Sequence, residues 1–191
     1  MMSIPLNGKR VSLIPVSEEH FEHLFIWRNN TKDLMLWSSV RSIIPKHEYW
    51  QELKSDYSNG IIRLIIVDNN TNTPIGQVFA YNHNNANNNL FIGIYIIPDK
   101  RKLYYGIEAL TVFVTYLFSY FSLHKIYFEI FEYNTHSKEL ATKSGFKKEG
   151  VFKDHFLFNG KYWSLLRFAF YTNDLKRMSK YIERFIEKTE I

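Results

Sequence analysis

Two short stretches of the chain carry residues whose types and spacing can do chemistry. The first is DKRKLYYGIEAL, Asp99 to Leu110, set between an apolar run with the look of a strand (LFIGIYII) and one with the look of a helix (ALTVFVTYLF). The first turn of a helix leaves backbone N–H groups without intrahelical partners at the positive end of the helix dipole, and together these bind anions. Lys100, Arg101 and Lys102 add mobile positive charge beside them. No Gly-Lys-Ser/Thr follows, so the stretch is not a P-loop, and without a glycine triplet it is not a dinucleotide fingerprint. On its own it is an anion-binding loop or a plain strand-to-helix connection.

The second stretch is HKIYFEIFEY, with the carboxylates Glu129 and Glu132 among aromatic rings. Period-two alternation puts Tyr127, Glu129 and Phe131 on one face of a strand and Glu132 on the other, unless a bulge intervenes. Desolvation between rings disfavours the charged form of a carboxylate, which suits a base working near neutrality. The alternative is that Glu129 pairs with a lysine at the sheet surface. His155 is a further base candidate, or else a partly exposed strand histidine. His20 and His23 have helical spacing but no third ligand in view, so a metal site is rejected.

The elements that must position these groups follow from the rest of the pattern. The 191 residues, 46% hydrophobic and 23% charged, suit one folded domain, and 17% aromatics imply an interior or cleft built largely from rings. The net charge of +5 favours anionic partners without selecting one, and its spread along the chain does not form a nucleic-acid stripe. With no cysteine, disulfides, thiolate zinc sites and a cysteine nucleophile are excluded. No signal-peptide core or bilayer-length apolar run is present, so neither membrane nor nucleic acid is expected as a partner, and the expected location is cytoplasmic.

KRVSLIPV alternates like a strand, and Ser17, Glu18 and Glu19 open a helix that ends at WRNN. A short apolar segment around Leu34 to Trp37 follows, and Pro45 starts a second helix. IIRLIIV, IGQVFAY and LFIGIYII are strands, with NHNNANNN a loop between the last two. Then come the long apolar helix, the strand HKIYFEIFEY, a short helix from about Asn134 to Ser144, and two strands joined by Asn159-Gly160, a hairpin signal. NDLKRMSKYIERFIEK closes the chain as an amphipathic helix. Strand, two helices, three strands, helix, strand, helix, two strands, helix is an α/β (α+β) order with no internal repeat.

Downstream of the first stretch lie NTHSKELATKSGF and EGVFKDHFLFNGKYWSLLRFAFY. Asn-x-x-Ser, then Lys-x-Gly-Phe, then Glu-Gly, then a hairpin with Asn-Gly resembles the GCN5-related N-acetyltransferase (GNAT) superfamily. The resemblance is to the branch of ribosomal-protein N-terminal, spermidine and amino-sugar acetylases, and is strongest from Leu90 to Tyr171. It implies a mixed, mostly antiparallel sheet of about seven strands with helices on both faces. Residues 1–172 would form the acetyltransferase domain and 173–191 a helix packed on it.

The resemblance also implies acetyl-CoA as cosubstrate and a primary amine of a small molecule as acceptor. The family loop Arg/Gln-x-x-Gly-x-Gly/Ala falls on Arg101, Lys102, Leu103, Tyr104, Tyr105 and Gly106, so Tyr104 replaces the first glycine. The backbone N–H donors survive any side chain except proline. By the same resemblance the pantetheine arm runs beside Ile94 to Ile96, the N–H of Ile96, with Ile94 nearby, polarises the thioester carbonyl, and Asn134 contacts the coenzyme. Asn134 also reads as a helix N-cap. Where many relatives carry a tyrosine acid, this chain has Ala141, which leaves Tyr133, Tyr105 and Tyr104 as nearby phenols. Glu129 and Glu132 are the candidate bases.

The acceptor side is expected from the N-terminal helices and the last hairpin, with Arg28, Asn29, Trp37 and Trp163 as substrate-binding residues. An Arg-Asn pair beside tryptophans suits a nucleotide-linked sugar, the guanidinium for phosphate and the ring for the base. HKIYFEIFEYN and GIYIIP are also similar to segments of amino-sugar-nucleotide acetyltransferases, whereas FNGKYWSLLRF is similar to the last hairpin of spermidine acetyltransferases. A peptide N-terminus remains an alternative acceptor. A non-catalytic acyl-CoA-binding module is the alternative of another class, and because the exposed ends of GNAT-like sheets often pair, the resemblance is compatible with a homodimer.

Overall fold

Alternation in VSLIP makes the first strand, β1 (Val11–Pro15), with Val11 and Leu13 turned into the core. The computed structural model describes residues 6–37, 40, 42–101 and 103–175. After a 3-10 turn at Glu18–His20 come three helices: α1 (Phe21–Arg28), α2 (Thr31–Trp37) and α3 (Lys46–Ser55). The sequence pattern predicts only two. TKDLMLW is too short for a periodic signal, but Asn30 caps it, its Oδ1 accepting from the Lys32 N–H at 3.2 Å. Pro45, with extended backbone, is the N-cap of α3.

β2 (Ile62–Asp68), β3 (Thr73–Asn84) and β4 (Asn89–Ile96) form an antiparallel meander. β3 and β4 extend into the asparagine-rich stretch, so the loop expected there shrinks to residues 85–88. α4 (Leu103–Tyr120) crosses to β5 (Lys125–Phe131), followed by α5 (Thr135–Lys143), β6 (Lys147–Phe158) and β7 (Lys161–Tyr171). Asn159 and Gly160, at φ 50° and 72°, form the two-residue turn between the last two strands. The proposed C-terminal helix lies outside the described residues beyond 175.

The seven strands order as β1-β2-β3-β4-β5-β7-β6, antiparallel except for the β4–β5 pair. α4 is apolar almost all round, as a helix buried on most sides must be. Ala109, Leu110, Val112, Phe113, Val114 and Leu117 are fully buried with Ile92, Ile126, Phe128 and Phe170 of the sheet. Its single charge, Glu108, is fully buried and accepts from the N–H groups of Arg10 (2.6 Å) and Val11 (3.3 Å) and from Arg10 Nη1 (3.0 Å). These bonds compensate the burial of a carboxylate and tie β1 to the helix. On the opposite face Leu24, Trp27, Tyr49, Ile65, Val67 and Tyr95 make a second core under α1 and α3.

Candidate active site

β4 and β5 are parallel neighbours only from Asn89↔Lys125 to Ile92↔Phe128. Beyond that, β4 continues with β3 and β5 with β7, so the sheet opens into a wedge. Ile97 N–H donates to Ile75 O of β3 at 2.9 Å. Backbone polar groups of alternate residues point to opposite neighbours, so the N–H groups of Ile94 and Ile96 point away from β3, into the wedge. Ile96 O lies on the same side, where it accepts from Arg101 Nε at 2.8 Å. Two small cavities occupy this place, of ≈ 70 Å3 and ≈ 60 Å3, and both are lined by Leu36, Trp37, Ile94, Asn134 and Ser137.

The start of α4 borders the wedge. Leu103, Tyr104 and Tyr105 supply its unsatisfied first-turn N–H groups. Tyr104 lies in right-handed helix, so the missing glycine imposes no backbone strain. Its ring is exposed, 5.2 Å from the Arg10 guanidinium. Gly106 is where α4 meets α5: a Cβ there would lie 2.9 Å from Leu140 Cδ1.

The basic side chains of this loop are tied rather than mobile, a correction to the sequence expectation. Lys100 Nζ pairs with Asp68 at 2.8 Å, and Tyr105 donates its hydroxyl to the same carboxylate at 3.0 Å. Burial pushes the Asp68 carboxyl up, but Lys100, the Asn70 N–H and Tyr105 together more than offset this and hold it below the ordinary aspartate range. Arg101 pairs with Asp33 through both terminal nitrogens. Lys102 lies outside the described residues.

α2 bridges the two lips of the wedge. On the β4 side Asp33 holds Arg101 and accepts from the Tyr95 hydroxyl at 3.1 Å. Burial first, and Asp33 second, push that phenol up to about 12. On the β5 side Tyr133 donates to Met35 O, and Asn134 Nδ2 to Leu36 O at 2.9 Å. Asn134 Oδ1 meanwhile accepts from Ser137 N–H at 3.0 Å as the cap of α5. Tyr133 and Tyr105 therefore spend their hydroxyls on the fold, which removes them as free proton donors.

Of the two carboxylates, Glu129 lines the wedge and Glu132 does not. Glu129 pairs with Arg167 of β7, at 2.6 Å to Nη2 and 2.9 Å to Nε, rather than with a lysine. The Arg167 guanidinium lies about 5 Å from the rings of Phe91, Tyr127 and Phe152. Glu132 is a correction: exposed, it accepts from Ser164 N–H at 3.2 Å, and the Ser164 contact holds it below the usual carboxylate range, which makes it a poor base. His155 is exposed on the irregular part of β6. His20 is buried, with Nδ1 accepting from Ser17 N–H at 3.0 Å. Among the described residues no three His, Asp or Glu converge as a metal site.

A larger chamber of ≈ 400 Å3 is lined by Arg28, Trp37, Tyr49, Glu52, Phe79 and Tyr81, among others. Trp37, Phe79 and Tyr81 also line the wedge, so the two spaces adjoin. Sequence reasoning missed Tyr49, Phe79 and Tyr81, whose strand and helix periodicity reads as packing. Burial first, and then Glu129, push the Tyr81 phenol up to about 12. Two substrate-binding expectations are corrected. Asn29 exchanges both amide groups with the backbone of Ile44, at 2.9 and 3.0 Å. Trp163 donates its indole N–H to Phe158 O at 3.2 Å and lies edge-on to Tyr133, lining neither space.

Comparison with known proteins adds to this geometry. A family model described as Acetyltransferase (GNAT) domain matches residues 10–147. No curated protein matches by sequence. The chain is similar in structure to spermidine N-acetyltransferase from Vibrio cholerae in complex with CoA and spermine, at TM-score 0.79 and 21% identity over 86% of this chain and 96% of that one. It is also similar to ribosomal-protein-S5-alanine acetyltransferase from Vibrio fischeri, at TM-score 0.72 and 20% identity over 87% and 95%. A dodecameric structure of the V. cholerae enzyme matches at TM-score 0.75 and 20% identity, over 89% and 98%. At these identities the likeness is one of fold.

Proposed function

The chain belongs to the GNAT acetyltransferase family, whose cosubstrate is acetyl-CoA, and on that premise we propose that it acetylates a primary amine of a small molecule, best read as a nucleotide-linked amino sugar. The observation that carries the proposal is the wedge, where the N–H groups of Ile94 and Ile96 are left without a strand partner next to the first turn of α4. Those two features suit the two ends of a long thioester. First-turn N–H groups of Leu103, Tyr104 and Tyr105 suit a pyrophosphate, with Gly106 giving the close approach of α4 to α5. The N–H of Ile96, with Ile94 as its neighbour, suits the thioester oxygen and stabilises the negative charge that develops there.

The acceptor amine enters past Trp37, Phe79 and Tyr81. Glu129 takes its proton, directly or through a water. The neutral nitrogen forms the new bond to the carbonyl carbon and gives up its surplus proton to solvent, the carbon–sulfur bond breaks, and the thiolate leaves with a proton from solvent or from a hydroxyl at the wedge. Tyr81, which stays protonated at all ordinary pH values, is the phenol best situated to supply it. Asn134 and Arg101 border the coenzyme space while holding α2 in place.

Arg28 in the adjoining chamber, with ring walls from Trp37, Phe79 and Tyr81, favours an acceptor that joins an anionic group to a flat one. A polyamine is the second reading, supported by the likeness to the enzyme solved with CoA and spermine. Release of CoA thiol from acetyl-CoA with an amino-sugar nucleotide, spermidine and a peptide N-terminus tests the proposal. Fastest release with the sugar nucleotide is expected, and release with spermidine alone would replace it by the second reading. A cytoplasmic setting and a homodimer complete the proposal. β6, at the sheet edge, exposes Val151, Phe152 and Leu157 as a surface for pairing, which sedimentation velocity checks.

A further inference from the structure

The chamber beside the wedge contains polar groups without the partners that their burial calls for. Tyr49 is 1% exposed, and its hydroxyl has no hydrogen-bond partner among the described residues. The same holds for Trp37 Nε1. Arg28, 6% exposed, donates to the Ser42 carbonyl at 3.2 Å, and no described carboxylate pairs with it. Its neighbour Arg63 shows what a satisfied guanidinium looks like in the same place. Arg63 Nε lies 2.6 Å from Asp56, Nη2 bonds the same carboxylate, and Nη1 donates to Gln77 at 2.8 Å. Tyr49, Trp37, Arg28 and Arg63 line the chamber, and among its described lining residues the one carboxylate is the exposed Glu52.

Buried donors are ordinarily paired, and a buried cation ordinarily has a counter-charge. Here donors exceed acceptors: a guanidinium, an indole N–H and a phenol belong to residues lining one chamber, and no buried carboxylate stands among its described lining residues. We propose that this chamber is an oxyanion subsite, in which Arg28, the Tyr49 hydroxyl and the Trp37 indole N–H hold a carboxylate or phosphate carried by the acceptor amine. The subsite rests on the acetyl-transfer reading of the wedge and adds the feature by which the acceptor is chosen. Because Trp37 lines both spaces, an acceptor gripped there has its amine directed toward Ile94. A polycation would meet Arg28 instead of an acidic wall, so the subsite selects against it as well as for the anionic acceptor.

The test titrates inorganic phosphate into the full-length protein saturated with CoA, which occupies the first-turn N–H groups of α4 and leaves the chamber free. Calorimetry is expected to show saturable binding, weakened roughly tenfold by Tyr49→Phe, which removes one oxygen from an otherwise unchanged ring. Arg28→Gln is expected to abolish binding. Should that variant fail to fold, Tyr49→Phe decides, and an unchanged phosphate affinity overturns the subsite. Binding of spermidine but not of phosphate also overturns it. Acetate titrated in parallel distinguishes a carboxylate site from a phosphate site, and binding of either supports the proposal. The two levels fail separately. Equal thiol release with an amino-sugar phosphate and its neutral parent amine removes the subsite and leaves the enzyme. Phosphate binding without thiol release on any amine leaves the subsite and removes the reaction.

Discussion

Arg101 grips Asp33 with both terminal nitrogens, Nη1 to Oδ1 at 2.9 Å and Nη2 to Oδ2 at 2.8 Å, and so joins the loop before α4 to a helix 68 residues earlier in the chain. Asp33 is nearly buried, and the same carboxylate accepts from Tyr95. The pair makes the loop before α4 and the helix α2 parts of one structure.

Asp33→Asn removes the negative charge that faces the Arg101 guanidinium and replaces one of its two acceptor oxygens by an amide NH2. The expected cost is about 2 kcal/mol, a fall of roughly 4–8 °C in Tm. Because Trp37 rides on the same helix, KM should rise for acceptor and acetyl-CoA together, as steady-state kinetics with both varied would show. A rise confined to one of them would break the proposed link.

Gly106→Ala brings a Cβ to 2.9 Å from Leu140 Cδ1. Alanine is the better helix former by about 1 kcal/mol, while overpacking costs about 1–3 kcal/mol. Net destabilisation and weaker CoA binding are therefore expected. In a Leu140→Ala background the same substitution should cost nothing or stabilise, and the double-mutant cycle in thermal unfolding measures that coupling.

Asp68 gives the fold a defined acid sensitivity. Its carboxyl is held below its ordinary value, so the stability it contributes is fully present above the unfolded-state value of about 3.9 and is lost as pH falls through the lower folded-state value. Asp68→Asn should lower Tm at pH 7 and flatten the dependence of Tm on pH below about 4. A variant with the parent's acid limb would show that other carboxylates govern it.

Tyr104→Gly restores the residue found in the family loop. With Tyr104 already helical, the backbone has nothing to gain. Affinity for CoA should stay within about threefold, and stability should fall by up to about 1 kcal/mol. A large gain in affinity would mean that the tyrosine distorts the loop.

Glu129→Gln keeps the size of the side chain and removes its basicity. Turnover is expected to fall by about a hundredfold with the KM for acetyl-CoA unchanged. Undiminished kcat would leave Glu129 as no more than the partner of Arg167.

Much of the fold was legible because its signals are local. Alternating runs such as VSLIP and short apolar runs such as IIRLIIV marked the strands, Asn159-Gly160 marked the last hairpin, and one long apolar segment marked α4. α2 escaped because seven residues are too few for periodicity, and its cap, Asn30, sits at the end of another helix. The helix start after Arg101 was legible, and its first-turn N–H groups belong to the backbone whatever the side chains.

What the side chains do with their charges was not legible, because pairing across 68 or 38 residues depends on where the elements pack. Arg101 looked like a free cation and is half of an ion pair, Glu129, read as a base with a lysine as its alternative partner, pairs with Arg167, and Asn29 looked like a ligand and stands in for a peptide bond. By itself the sequence determined the seven strands, the helices other than α2, and the helix start that follows Arg101. Only the tertiary structure decided that β4 parts from β5 after Ile92 and that α2 spans the gap. It alone brought Tyr49, from a helix, and Phe79 and Tyr81, from a strand, to one chamber with Arg28, because such neighbours come from packing rather than from any period in the chain.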